Sequence, residues 1–232
     1  MIRIRAFRAT DELESCQKFV EGHMKILRVF GITMITSANT GWFVDPNTYV
    51  IVAESTEDGR VLGGARLQVA SEQFPLPIEA AVTELDSRIH QVVKDYNADG
   101  GTSELCGLWN SREIAGMGIG SVYLTRTAVC IAPQLKIKSI FGLCAAYTVE
   151  MAQKAGFQVA TFLGNNGTFY YPKEDLTATG VLLPDSYKLD TADDHERGEI
   201  FSLRERPKQI KREVGRREDF DLLYDLEIPN VK

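Results

Sequence analysis

The sequence predicts an α/β (α+β) fold with a mixed, mostly antiparallel central sheet and helices on both faces. Three observations predict it: short β-type runs alternate with amphipathic helical runs, Asp58-Gly59 gives a hairpin signal, and a glycine cluster sits between a strand and a helix. With 232 residues, 44% of them hydrophobic, one large domain has enough apolar side chains for a core.

Taken in order, Ile2, Ile4 and Ala6 alternate with Arg3, Arg5 and Phe7 as a short strand, and Thr10 with Asp11 offers an N-cap for a helix running to about Val29. A Gly/Thr/Ser/Asn-rich loop containing Trp42 leads into YVIVAES and RVLGGARLQVA, an antiparallel pair joined by Thr56-Glu57-Asp58-Gly59. After Pro75 and Pro77, apolar residues from Ile78 to Val93 recur at helical spacing, and Asn97–Gly101 ends that single helix. SELCGLWN is a strand, and the glycine cluster after it opens a helix that Pro133 terminates. The strand IKSIFGLCA, the helix YTVEMAQKAGF, the strand VATFLG and the apolar run TGVLLP complete the order β-α-β-β-α-β-α-β-α-β-β. Residues 1–190 form the main domain. Residues 191–232, with alternating charge and a DFDLLYDLEI ending, form an appendage packing on it through Phe220, Leu222, Leu223 and Leu226; a partner-binding tail is the competing reading.

A net charge of −6 provides no basic field for nucleic acid or an anionic membrane. Cys16, Cys106, Cys130 and Cys144 form no CxxC pair and have no histidine at ligand spacing, so they read as reduced core thiols, with no metal implied. The charged start MIRIRAFRAT is unlike a signal peptide, and no apolar run approaches the ~20 residues of a membrane span. A soluble, cytoplasmic protein is expected.

Ala115-Gly116-Met117-Gly118-Ile119-Gly120-Ser121 lets backbone approach a ligand at a helix N-terminus, which is an anion site; relief of crowding between strand and helix explains the glycines equally well. It lacks the Lys-Ser/Thr ending of a P-loop and the acidic partner of a Rossmann fingerprint. The element order and this cradle resemble the GNAT acyltransferase superfamily, whose motif Arg/Gln-x-x-Gly-x-Gly/Ala matches at Gly118 and Gly120, with Ala115 at its first position. The resemblance spans roughly Met1 to Asp185. Asp45, the run GGARL with Arg66, and Glu104 opening ELCGLW are similar to the autoinducer-synthase and N-acyl amino acid synthase branch, although Gly107 stands where that branch has a second Arg.

That likeness implies an acetyl-CoA or longer acyl-CoA cosubstrate, or an acyl carrier protein as donor partner, and a small primary-amine acceptor. It implies pyrophosphate on Ala115–Ser121, with pantetheine and the oxyanion on the backbone around Leu108, Trp109 and Asn110. Glu104 is the candidate base, against a solvent-facing strand start as the bland alternative. Tyr147 is the candidate acid for the leaving thiolate, because Ala152 occupies the position where the family often has Tyr; a helix-start wedge in the core is its alternative. Trp42, Arg66 and Asn165 are expected at the substrate; Asn165 belongs to the run Gly164–Pro172, which serves equally as a pocket wall or as a hairpin with core aromatics. His23, His90 and His195 sit apart, without a nucleophile elbow. Ala115, Ala152 and Gly107 motivate a second reading, a non-catalytic ligand-sensing or scaffold protein of the same fold. A homodimer built around the charged C-terminal segment is a third.

Overall fold

The computed structural model describes residues 1–29, 31–32, 40–116, 119–214, 219–229 and 231, so Met117 and Gly118 of the glycine cluster lie outside the described residues. The first half contains β1 (Ile2–Arg8), α1 (Leu13–Val29), β2 (Thr48–Ser55), β3 (Val61–Val69), α2 (Pro77–Val82), α3 (Ile89–Ala98) and β4 (Thr102–Asn110). The second contains α4 (Arg112–Gly116), α5 (Ser121–Ile131), β5 (Ser139–Ala145), α6 (Val149–Lys154), β6 (Gln158–Val159), β7 (Thr168–Tyr170), β8 (Thr177–Leu183), α7 (Asp194–Glu205), β9 (Lys208–Glu213) and β10 (Phe220–Asp225).

These strands form one sheet in the order β6-β8-β5-β4-β3-β2-β1-β10-β9, with β7 on β8. Most neighbours are antiparallel; β4 with β5 and β1 with β10 are parallel. The run of β2 is buried at every position because both faces are covered. Tyr49, Ile51 and Ala53 face one layer with Leu124, Ala128 and Ile200, while Val50 and Val52 face the other with Phe19 and Trp109. A third cluster, with Ile78, Val82, Ile89 and Val93 against Phe141 and Leu182, fixes α2 and α3 over the β5–β8 side.

Several elements differ from the sequence expectation, for reasons that are mostly long-range. A 3-10 turn at Ala9–Asp11 precedes α1, so the helix proper starts at Leu13, and the Thr10 hydroxyl donates to the Asp11 side chain (3.3 Å) instead of capping it. The single helix expected over Ile78–Tyr96 is two. The first ends at Val82, and in the turn between them the Asp86 carboxylate accepts from the Arg88 amide (3.1 Å) and the Gly164 amide (2.8 Å), the second lying 78 residues away. The VATFLG run keeps only the two strand residues of β6, because Ala160 to Gly164 turn toward β7. The glycine cluster is not one open loop, since α4 occupies Arg112–Gly116.

From Thr191 onward the chain adds α7 and the β9–β10 hairpin, with β10 extending the sheet against β1 from Ile2↔Leu222 to Arg5↔Asp225. Leu222, Tyr224 and Leu226 are fully buried. Arg126 of α5 joins Glu196 through two bonds (2.8 and 2.7 Å) and Glu213 at 3.2 Å, and Tyr224 donates to Glu213 (2.8 Å), all within the interior. No described helix is long and apolar enough to cross a membrane.

Candidate active site

The site forms where the sheet splits. β4 and β5 pair from Thr102↔Ser139 to Leu105↔Gly142; β4 then continues to Asn110 and β5 to Ala145 without further pairing between them. Directly beyond the split, the β3–β4 register jumps: Arg66 faces Cys106 and Gly64 faces Trp109, so Gly107 and Leu108 together oppose Ala65. This bulge has Gly107 at φ +59, left-handed backbone in which glycine is at no disadvantage. The bulge explains glycine at a position where the resembling branch carries Arg. It also turns strand amides out of the ladder.

A cavity of about 370 Å³ fills the opening. His23 and Leu27 of α1 line it from one face of the sheet, and Thr125 of α5 with Met151 and Ala152 of α6 line it from the other. It therefore passes through the sheet, bounded by Glu104 to Trp109 on β4 and Gly142 to Ala145 on β5.

Glu104 is 3% exposed inside this wall. Burial pushes its carboxyl up to about 8, against the opposing effects of the Ile78 amide, which donates to it at 2.6 Å, and of the buried Arg66 cation. At neutral pH it is mainly protonated, and it becomes a carboxylate as the pH passes about 8. Tyr147 stands at the cavity rim, 81% exposed, while Ala152 is buried in the wall. Cys106 and Cys144 also line the cavity, and burial pushes their thiols up to about 12 and about 11. Neither is a thiolate nucleophile at neutral pH.

The described part of the glycine cluster narrows at α5. The Ala115 amide donates to Ser111 (3.1 Å) and the Ile119 amide to Ile114 (3.0 Å), and Ile119 packs into the core. Gly120, the N-cap of α5, has φ −88, and an added Cβ would meet nothing nearer than 3.9 Å. The fold itself does not require glycine there. Asn110 at the end of β4 is assigned with its oxygen accepting from the Ser121 amide (3.0 Å) and its nitrogen donating to the Trp109 carbonyl (3.1 Å), which anchors α5 over the split. Leu108 lines the cavity, and Trp109 lines it while packing against Phe19 (6.3 Å between ring centroids).

None of the three residues expected at the substrate is among the residues that line the cavity. Trp42 is core, edge-on to Phe19, with the Arg66 guanidinium 4.7 Å over its ring. Arg66 is 1% exposed behind the β4 wall, where its charge favours the ionised forms of Glu104 and Cys106. Asn165 is in the turn before β7, bridged to Thr168, and does not line the cavity; Tyr171 and Pro172 from the same run do. His23, one of the three histidines that stand apart in the sequence without a nucleophile elbow, lines the cavity. Its place on the buried stripe Cys16, Phe19, His23, Leu27 is the signal that marks it.

A comparison with models of protein families gave no match, and a comparison with curated proteins gave none. Solved structures are similar in fold. FeeM, an N-acyl amino acid synthase from uncultured soil microbes, superposes with a TM-score of 0.62 at 10% identity, covering 85% of this chain and 98% of that one. BjaI, a CoA-dependent acyl-homoserine lactone synthase seen with SAM and isopentyl-CoA, gives 0.54 at 12% identity over 89% of this chain and 91% of its own. MesI, a second CoA-dependent acyl-homoserine lactone synthase, gives 0.50 at 12% over 88% and 95%. The chain therefore shares its overall fold, a mixed and mostly antiparallel sheet with helices on both faces, with these solved acyl-transferring synthases, as the GNAT-like element order led one to expect.

Proposed function

We propose that this protein is an N-acyltransferase that moves an acyl group from acyl-CoA or acyl carrier protein to a primary amine of a small molecule, by direct attack. The observation that carries this reading is the cavity crossing the sheet at the β4–β5 split, with the Glu104 carboxyl buried in its wall. A donor entering from the α5 side would bring its thioester beside Gly107 and Leu108, and an acceptor entering from the α1 side would meet it there. Such a passage holds two reactants in line and excludes water, which replaces a bimolecular encounter.

The amine would enter in its neutral form, ionised Glu104 would take the one proton it sheds as the C–N bond forms, and a strand amide released near the bulge would meet the developing oxyanion. The thiols of Cys106 and Cys144, held protonated, favour attack by the amine itself over an acyl-enzyme. The wall is largely apolar, with Leu27, Leu105, Leu143, Phe157 and Val181, which suits a long acyl chain, and the likeness to FeeM favours an amino-acid-like acceptor. The pyrophosphate would lie at the α5 N-terminus by Gly120, and Tyr147 at the rim would protonate the leaving thiolate.

Decanoyl-CoA or CoA should raise the melting temperature. Gly120→Glu, which places negative charge at the helix N-terminus, should abolish that rise, while Gly120→Ala should fold as well as wild type. Thiol release from decanoyl-CoA over a panel of amino acids then tests transfer. No thermal response to any CoA species or to holo acyl carrier protein would sink the reading. A binding response without thiol release would favour the ligand-sensing alternative, which draws on the buried Ala152 in the cavity wall.

A further inference from the structure

Along its buried stripe, α1 presents Cys16, Phe19 and Leu27, and in their midst the polar His23, 4% exposed. An apolar side chain would satisfy the packing at this position. Instead an imidazole lines the cavity, its Cε1 3.7 Å from the point where a Cβ on Gly107 would stand. Among the described residues neither ring nitrogen takes part in a hydrogen bond, and the ring's neighbour is Phe19, with centroids 6.1 Å apart. A polar ring that faces a cavity is best accommodated when a ligand or water in that cavity supplies the hydrogen bond. His23 thus offers a donor and an acceptor to whatever occupies the cavity beside the β4 bulge.

Burial, aided by the Arg66 cation on β3, holds the imidazole well below its ordinary range, at about 4. Glu104 and Cys106 on β4 are the other titratable groups at this end of the cavity. Above about pH 5 the ring is neutral, so one nitrogen keeps its lone pair free to accept.

We propose that His23 is the acceptor-orienting residue of this site, its neutral imidazole accepting an N–H of the incoming primary amine and aiming the amine lone pair at the carbonyl held beside Gly107. The inference rests on the acyl-transfer reading. As the C–N bond forms and the C–S bond breaks, the amine gives one proton to the Glu104 carboxylate, and the thiolate leaves as the thiol after taking a proton at the cavity mouth. His23 itself neither gains nor loses a proton.

Two measurements test this. In thiol-release assays with decanoyl-CoA and the best amino acid of the panel, His23→Leu should lower kcat/KM for the amine by roughly tenfold or more. KM for decanoyl-CoA should be unchanged, and His23→Gln, which keeps an acceptor, should recover part of the loss. Equal amine kinetics in His23→Leu and wild type would overturn the proposal. The second measurement does not need turnover. In protein labelled at the histidine Cε1 carbons, adding hexylamine to the decanoyl-CoA-loaded protein should shift the His23 resonance, assigned by its disappearance in His23→Gln, and leave His90 and His195 in place. A His23 resonance that hexylamine does not move overturns the assignment. If wild type releases no thiol at all, the acyl-transfer reading fails by itself, and the resonance still decides whether His23 meets an amine.

Discussion

Glu104 shows how position in the fold sets the chemistry of one side chain. Its carboxyl sits at about 8 because burial disfavours the carboxylate more than the Ile78 amide and the Arg66 cation restore it. The folded-state value lies above the ordinary value of about 4.3. The native state therefore binds a proton that the unfolded chain has released, and stability falls as pH rises through that interval, with the full loss reached above about pH 8. Glu104→Gln should remove this slope, making the variant more stable than wild type at pH 9 by on the order of 5 kcal/mol and nearly equal at pH 4. Urea unfolding at pH 4, 6 and 9 measures it; parallel curves for the two proteins would mean that Glu104 is not held protonated. Thiol release should rise with pH through the same interval in wild type, because only the carboxylate takes a proton.

At the scale of the element, β4 decides the site. A strand in regular register with β3 would keep its amides in the ladder. The residue inserted at Gly107 and Leu108 bends it just past its last pair with β5. Gly107→Ala places a Cβ in left-handed backbone, 3.3 Å from the Phe19 ring and 3.7 Å from His23. It should destabilise the protein by about 1–2 kcal/mol and depress thiol release by more than the lost stability explains. Denaturant unfolding alongside kcat/KM separates the two effects; unchanged stability would mean that the bulge relaxes without glycine. The same lesson applies to the α2–α3 region. Its helical period reads as continuous in sequence, yet the chain turns between Val82 and Ile89, where Asp86 accepts from the Gly164 amide, a partner no local window contains.

For the molecule as a whole, the C-terminal segment and the site-bearing helix share one buried ion network. Arg126, 3% exposed as a side chain, holds Glu196 of α7 and Glu213 of β9, each at 7%, and sits on the helix whose first residue receives Asn110. Replacing it with Met leaves two buried carboxylates without their cation, and should cost about 3–5 kcal/mol and lower the melting temperature strongly. The double variant with Glu196→Gln should recover part of this, as measured by chemical denaturation. Additive losses in the double variant would mean that the two residues do not act as a pair. Tyr123, one turn into α5, also donates to the Val214 carbonyl (3.3 Å) and stacks edge-on with Phe220, so β9 and β10 brace the same end of the helix.

Period and punctuation were enough to read most strands and helices, because they depend on which side chains share a face and where backbone cannot continue. Alternation marks β1, the Asp58-Gly59 hairpin signal marks β2 and β3, an N-cap signal ahead of the run to Val29 marks α1 with its start displaced to Leu13, and the glycine cluster marks the helix that Pro133 ends. The likeness of Gly118, Gly120 and GGARL to one superfamily's motifs suggested the fold. The tertiary structure decided the rest: that Glu104 lies inside a strand under α2, that Gly107 stands in a bulge, that Trp42 and Arg66 pack together behind the wall, and that His23 faces the cavity while Asn165 does not. The physical reason is range. A helical or strand pattern is a property of residues a few positions apart, whereas a buried pKa, a register shift or a cavity wall is made by chains that meet only after folding, and their separation in sequence leaves no local trace.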